Sequence, residues 1–280
     1  MRLIRYWHGG AARTGLVQDD RVIDTAALSP SLADLGAALA ADGRRALATL
    51  SVASVASTSL ADAALLPPLA TGARLFCIGL NYKTHVAETG RDLPAQPSVF
   101  TRTAESVVGA GAPMLRPAVS EHFDFEGELA VVIGTPGHRI TEASAMSHIG
   151  GYTCFNDGSL RDFQKFSVTA GKNFDASGAI GPWIVTADEI PDPTALVLAT
   201  RLNGVEVQRS GTDMLIYPLP RLISYISQFA ALRAGDVIAT GTPAGVGARR
   251  VPPLWMKPGD VVEVDISGIG VLRNPIAAAA

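Results

Sequence analysis

Phe125-Glu126-Gly127-Glu128-Leu129-Ala130-Val131-Val132-Ile133-Gly134 is the stretch that decides how this chain is read. Its second half is an unbroken apolar run closed by glycine, the pattern of a buried β-strand. Its first half carries two acids, Glu126 and Glu128, that such a strand does not need for packing. They are two residues apart, so on a strand both carboxylates leave from one face. Neighbouring carboxylates near a core repel, and they must be paired, protonated or bound to a cation. Taken alone, Glu-x-Glu is more simply a solvated pair at a strand end. The rest of the chain has to decide.

With 280 residues, 48% hydrophobic and 18% charged, the chain can bury a large core as one domain, or as one domain plus a small extra one. A net charge of -3 and no basic cluster exclude a nucleic-acid surface. No apolar run approaches the ~20 residues of a membrane span, so no membrane partner is expected. The first ten residues lack the apolar block of a secretory signal. Cys77 and Cys154 stand far apart in apolar text and read as reduced core thiols, which fits a cytoplasmic protein. The five histidines show no zinc-ligand spacing.

Upstream, Arg2 to Thr25 alternates around two turns and predicts a small antiparallel meander. Ser31 to Leu47 has helical spacing with a serine cap, and 48–71 is rich in Ala, Ser and Thr and reads as a linker. Residues 1–70 therefore form a small N-terminal α+β domain, and 71–280 the main one. From Arg74 the text becomes strand-rich. Arg74 to Gly79 and Pro97 to Arg102 are strands, and between them a short helix ends at Gly90. Leu222 to Ala230 is a helix. Strand signals at short intervals with few long helices predict a mainly β, α+β core.

Three acids stand out: Glu126, Glu128 and Asp157. All are hard oxygen ligands suited to Mg²⁺, Mn²⁺ or Ca²⁺; the bland reading of Asp157 is a loop cap shared with Asn156. His85 and Glu88 lie one helical turn apart, where a carboxylate can fix the imidazole tautomer and raise its basicity. The alternative is a surface helix pair. Lys172, in a polar loop, could bind an anionic oxygen or simply be solvated. Arg102 follows an apolar strand and could pair with a substrate carboxylate. Gly241-Thr242-Pro243-Ala244-Gly245 lacks the lysine of a nucleotide loop and reads as a tight loop carrying Thr242 to the site.

In order and spacing, several motifs together resemble the fumarylacetoacetate hydrolase family. They are Cys77-Ile78-Gly79-Leu80-Asn81-Tyr82 with His85 and Glu88, Phe-Glu-Gly-Glu-Leu, and Asn156-Asp157 with Arg161-Asp162 and Gln164. Gly171-Lys172-Asn173-Phe174-Asp175, Gly181-Pro182, Gly235 to Pro243 and Lys257-Pro258-Gly259-Asp260 follow. The similarity runs over about residues 72–275, and residues 1–70 resemble the short N-terminal domain of many bacterial members. The resemblance implies a strand-rich mixed β-sandwich or β-roll core, commonly a homodimer. It implies Mg²⁺ or Mn²⁺ on Glu126, Glu128 and Asp157, a His85–Glu88 dyad handling water or a proton, and Lys172 as a catalytic cation. Gln164 and Thr242 match pocket positions. Many members carry lysine where this chain has Arg102, which implies a related but altered substrate contact. The expected reaction is C–C hydrolysis of an acylpyruvate-type diketo acid through a metal-stabilised enolate. The alternatives are isomerisation or decarboxylation of a 2-oxo-dioic acid, or oxaloacetate tautomerisation or decarboxylation.

Overall fold

The computed structural model describes residues 1–52, 55–90, 92 and 94–279. The strand expected from the acidic stretch runs Gly127–Ile133, with every residue buried. It lies inside a 12-stranded sheet, antiparallel to Ile149–Asn156 on one side and to Val237–Ala239 on the other. Both of its faces are covered, which is why the sequence shows a continuous apolar run and no alternation. Beyond Val237–Ala239 the sheet continues to Leu75–Gly79, parallel, and then to Ser98–Arg102. In the other direction it continues through Gly178–Thr186 into the N-terminal meander.

A second sheet has five strands, in the order Val205–Gly211, Val197–Leu202, Val261–Ile266, Gly270–Ala278 and Met114–Arg116. Leu129, Val131 and Cys154 of the large sheet share one core with Leu198, Val264 and Leu272 of the second. On the opposite face, Ala130, Val132 and Phe155 pack with Leu3, Leu16, Leu35 and Leu39. Each such fully buried aliphatic side chain contributes about 1.5–3 kcal/mol. The mainly β, α+β class expected from strand spacing is the class observed.

Three local expectations change. The meander at the N-terminus forms, but its first strand pairs with the main sheet, Leu3 opposite Ile184, and its leucines enter the shared core. The 48–71 stretch, expected as a linker, holds edge strands Ser57–Ser59 and Ala64–Leu66; Ala53 and Ser54 within it lie outside the described residues. Each is only three residues long, too short to show alternation, and the first is Ser-Thr-Ser, so composition hid them. The helix expected over Ser31–Leu47 is two helices, Leu35–Leu39 and Ala41–Thr49. Asp34 rather than Ser31 caps the first, accepting from the Gly36 amide at 2.8 Å. Downstream, Lys83–Thr89 is helical and stops at Gly90 with φ 67°, a left-handed cap that glycine adopts without strain. The helix expected over Leu222–Ala230 runs Leu219–Phe229.

Candidate metal and acid-base site

The pairing of Gly127 with Asn156 puts the residues just beyond them, Glu126 and Asp157, side by side at one end of the sheet. The Asp157 amide donates to the Glu126 carbonyl at 2.9 Å, and the Glu126 amide donates to the Asn156 side chain at 3.1 Å. Glu128, one pleat further on, joins them. Oxygens of the three buried carboxylates lie within 4.8 Å of one another. Gly127 between the two glutamates fits because a Cβ there would collide with the Thr200 side chain.

Three cations hold this cluster together. The Lys172 ammonium donates to Glu126 Oε2 at 2.5 Å and to Asp157 Oδ2 at 2.6 Å. Arg161 donates to Glu126 Oε1 at 2.6 Å and to Asp124 Oδ2 at 2.8 Å. Arg102 donates to Asp157 Oδ1 at 2.6 Å. Burial pushes the Glu126 carboxyl up, but Arg161 and Lys172 outweigh it and bring it to about 2. Burial opposes the Lys172 charge, yet Asp157 and Glu126 leave its pKa raised. Glu128 is different. Among the described residues its carboxylate accepts only the Gly241 amide, at 2.8 Å, and burial, then Asp157 and Glu126, drive its pKa well above the ordinary range. A buried carboxylate without a cationic partner, in a set of carboxylate oxygens, fits a hard divalent cation such as Mg²⁺ or Mn²⁺.

His85 and Glu88 share a face of the Lys83–Thr89 helix, and His85 Nδ1 lies 3.1 Å from Glu88 Oε2. The other Glu88 oxygen accepts from the Gly245 amide at 2.9 Å. Glu88 is thus anchored to the loop that also carries Thr242. His85, Lys172, Gln164, Thr242 and the three acids all face one cavity of about 490 Å³. Thr242 braces that wall, donating to the Gly127 carbonyl at 3.0 Å and accepting from Gln208 at 2.9 Å. Gln164 accepts from Arg161 at 2.8 Å, which orients its amide.

Arg102, expected on a substrate carboxylate, is placed elsewhere. It sits behind Asp157 with no exposed side-chain surface. Besides Asp157, its donors reach the Gly158 and Ser106 carbonyls and the Ser106 and Ser177 hydroxyls. A guanidinium has five N–H groups, and these partners occupy them. Two residues went unassigned in the sequence reading. Asp124 shares the alternation of Glu126 and Glu128, and it accepts from the Gly247 and Ala248 amides at 2.7 and 3.0 Å. Arg161, in the polar loop, ties Asp124 to Glu126. The alternation was a visible signal for Asp124; nothing local marked Arg161 off from other loop cations.

Residues 74–277 match the family model for the fumarylacetoacetate (FAA) hydrolase C-terminal domain, and the chain belongs to that family of enzymes. Within it, the chain is similar to the mitochondrial oxaloacetate tautomerase fahd2 of Xenopus laevis, with 38% identity over 99% of this chain and 90% of the relative. Among solved structures it resembles 2-hydroxyhepta-2,4-diene-1,7-dioate isomerase from Mycobacterium marinum, at 31% identity and TM-score 0.79, over 100% of this chain and 99% of the other. It also resembles maleylpyruvate hydrolase from Sphingobium sp. SYK-6, solved with manganese(II) and pyruvate, at 26% identity, TM-score 0.83 and 100% coverage of both chains. The named relatives include a tautomerase, an isomerase and a hydrolase. Among the described residues, no helix is long and apolar enough to cross a membrane.

Proposed function

We propose that this chain is a divalent-metal-dependent enzyme that interconverts the keto and enol forms of a short 2-oxo dicarboxylic acid, with oxaloacetate as its substrate. The observation that carries the reading is the shared cavity, in which a carboxylate-oriented histidine faces three clustered acids and a buried lysine. Glu126, Glu128 and Asp157 would hold Mg²⁺ or Mn²⁺, which when bound supplies positive charge toward the adjacent oxygens of a 2-oxo acid. His85, held in one tautomer by Glu88, takes a proton from the carbon next to the carbonyl while the carbonyl oxygen gains one from water to give the enol; in the opposite direction His85 delivers the proton to that carbon and the enol oxygen releases its own to water. Lys172 adds fixed positive charge beside the oxygen on which negative charge develops, and Gln164 presents its amide to the same cavity. Tautomerisation asks nothing more of the site. A full-length relative named as an oxaloacetate tautomerase supports it.

A second reading keeps the same groups. In C–C hydrolysis of a 1,3-diketo acid of the acylpyruvate type, His85 deprotonates a water that attacks the distal carbonyl, and the leaving carbanion departs as an enolate. The likeness to a maleylpyruvate hydrolase favours it. The test is to follow enol loss and C3 deuterium exchange of oxaloacetate with Mg²⁺, beside a panel of diketo acids. Accelerated enol loss with no acid products is expected. Two acids released from a diketo acid, with oxaloacetate untouched, would replace the first reading by the second, and CO₂ release would make the enzyme a decarboxylase. His85→Ala should lower kcat by about 10²–10⁴-fold with Mg²⁺ binding intact; full turnover would remove His85 from the mechanism. A cytoplasmic homodimer completes the proposal, and light scattering and cell fractionation test it; the frog relative is named as mitochondrial.

A further inference from the structure

Two adjacent arginines follow the Thr242 loop and behave differently. Arg250 turns back onto the protein, donating to the Gly245 carbonyl at 3.1 Å and to the Val207 carbonyl. Arg249 lines the cavity. Among the described residues its side chain has no hydrogen bond and no ion pair, unlike the cavity cations Arg161 and Lys172, which are bonded to acids. The turn that carries it, Gly247–Arg249, is fixed by the protein. Buried Asp124 accepts the Gly247 amide at 2.7 Å and the Ala248 amide at 3.0 Å, and the Gly247 carbonyl accepts from Leu254 at 3.0 Å. Asp124 is also bonded to Arg161, which holds Glu126. One buried carboxylate therefore sets the position of the Arg249 turn relative to the acid cluster.

We propose that Arg249 is the specificity-determining residue that pairs with the distal carboxylate of a dicarboxylic substrate, the end of the molecule away from the acid cluster. This deepens the reading above and rests on it. A guanidinium suits the role because its planar fork meets a carboxylate through two hydrogen bonds. A rim cation without a partner can do so without first breaking a bond to the protein. Lys165 is the other cavity cation without an acid partner among the described residues. It stands on the polar loop rather than on the Asp124-fixed turn, and it serves as the internal control.

The test is calorimetric binding of two non-reacting 2-hydroxy acids, in the presence of Mg²⁺, to the full chain. Malate carries the distal carboxylate, one carbon beyond the carbinol, and lactate lacks it. The wild type should prefer malate. Arg249→Met should lose roughly 10- to 100-fold in malate affinity and keep its lactate affinity and its melting temperature. Arg249→Lys should recover part of the loss, and Lys165→Met should leave the preference in place. An unchanged preference in Arg249→Met, or its loss in Lys165→Met alone, overturns the assignment while the site itself stands. A wild type that binds neither acid overturns the underlying functional reading and this proposal with it.

Discussion

Arg102 is the residue whose sequence reading and surroundings diverge most. Its position after an apolar strand suggested a substrate contact, yet its donors hold Asp157, Gly158, Ser106 and Ser177 inside the protein. Removing one partner of a fully buried ion pair leaves the other uncompensated, at a cost of about 3–5 kcal/mol. Arg102→Met should therefore appear in chemical denaturation as lost stability of that order; a stable variant altered only in KM would return Arg102 to the substrate. Glu128 gives a prediction in pH. Its pKa in the folded protein lies well above the ordinary glutamate value of 4.5 because of burial and then Asp157 and Glu126. Without metal, the folded protein then keeps a proton that the unfolded chain releases, so this group's contribution is complete below about 4.5 and falls as pH rises above it. In EDTA, the wild-type melting temperature should drop as pH rises above about 5 more than that of Glu128→Gln. Parallel curves would mean that Glu128 is ionised and already compensated without metal.

At the scale of elements, the strand Gly127–Ile133 was legible because it is buried on both faces and the alphabet of buried strands is narrow. The helix that carries His85 and Glu88 was legible from its spacing and from Gly90. What could not be read was why glycine separates the two glutamates, because the answer is Thr200, on a strand of the second sheet. A methyl at Gly127 meets the Thr200 hydroxyl oxygen, an atom that itself has no hydrogen-bond partner among the described residues. Gly127→Ala should push the strand entrance outward and weaken Mg²⁺ binding, typically with a loss of about 1–3 kcal/mol in stability from overpacking. Adding Thr200→Ala removes the colliding atom and should restore both. If the double variant remains as impaired as Gly127→Ala, the glycine is there for another reason.

At the scale of the whole molecule, the sequence placed the acids, the His85–Glu88 turn and Lys172 in the right order without showing what assembles them. The assembly is a matter of register and sheet order. Pairing of Gly127 with Asn156 sets Glu126 against Asp157, and the Gly241–Gly245 loop returns to hold both Glu128 and Glu88. The join between residues 1–70 and the main sheet was hidden for a related reason: pairing Leu3 with Ile184 leaves no mark in either segment taken alone. The same holds for Arg102, whose burial depends on partners from three separate segments. These long-range pairings bring three carboxylates together at the ends of two paired strands, where on the proposed function they would hold a cation that supports enol chemistry. The most direct measurement is the rate of enol-oxaloacetate loss by ultraviolet absorbance, with Mg²⁺ and with EDTA, for the wild type and Glu126→Gln. The wild type should accelerate the loss with Mg²⁺ but not in EDTA, and Glu126→Gln should accelerate it under neither condition; equal acceleration with and without metal would rule out a metal-dependent site.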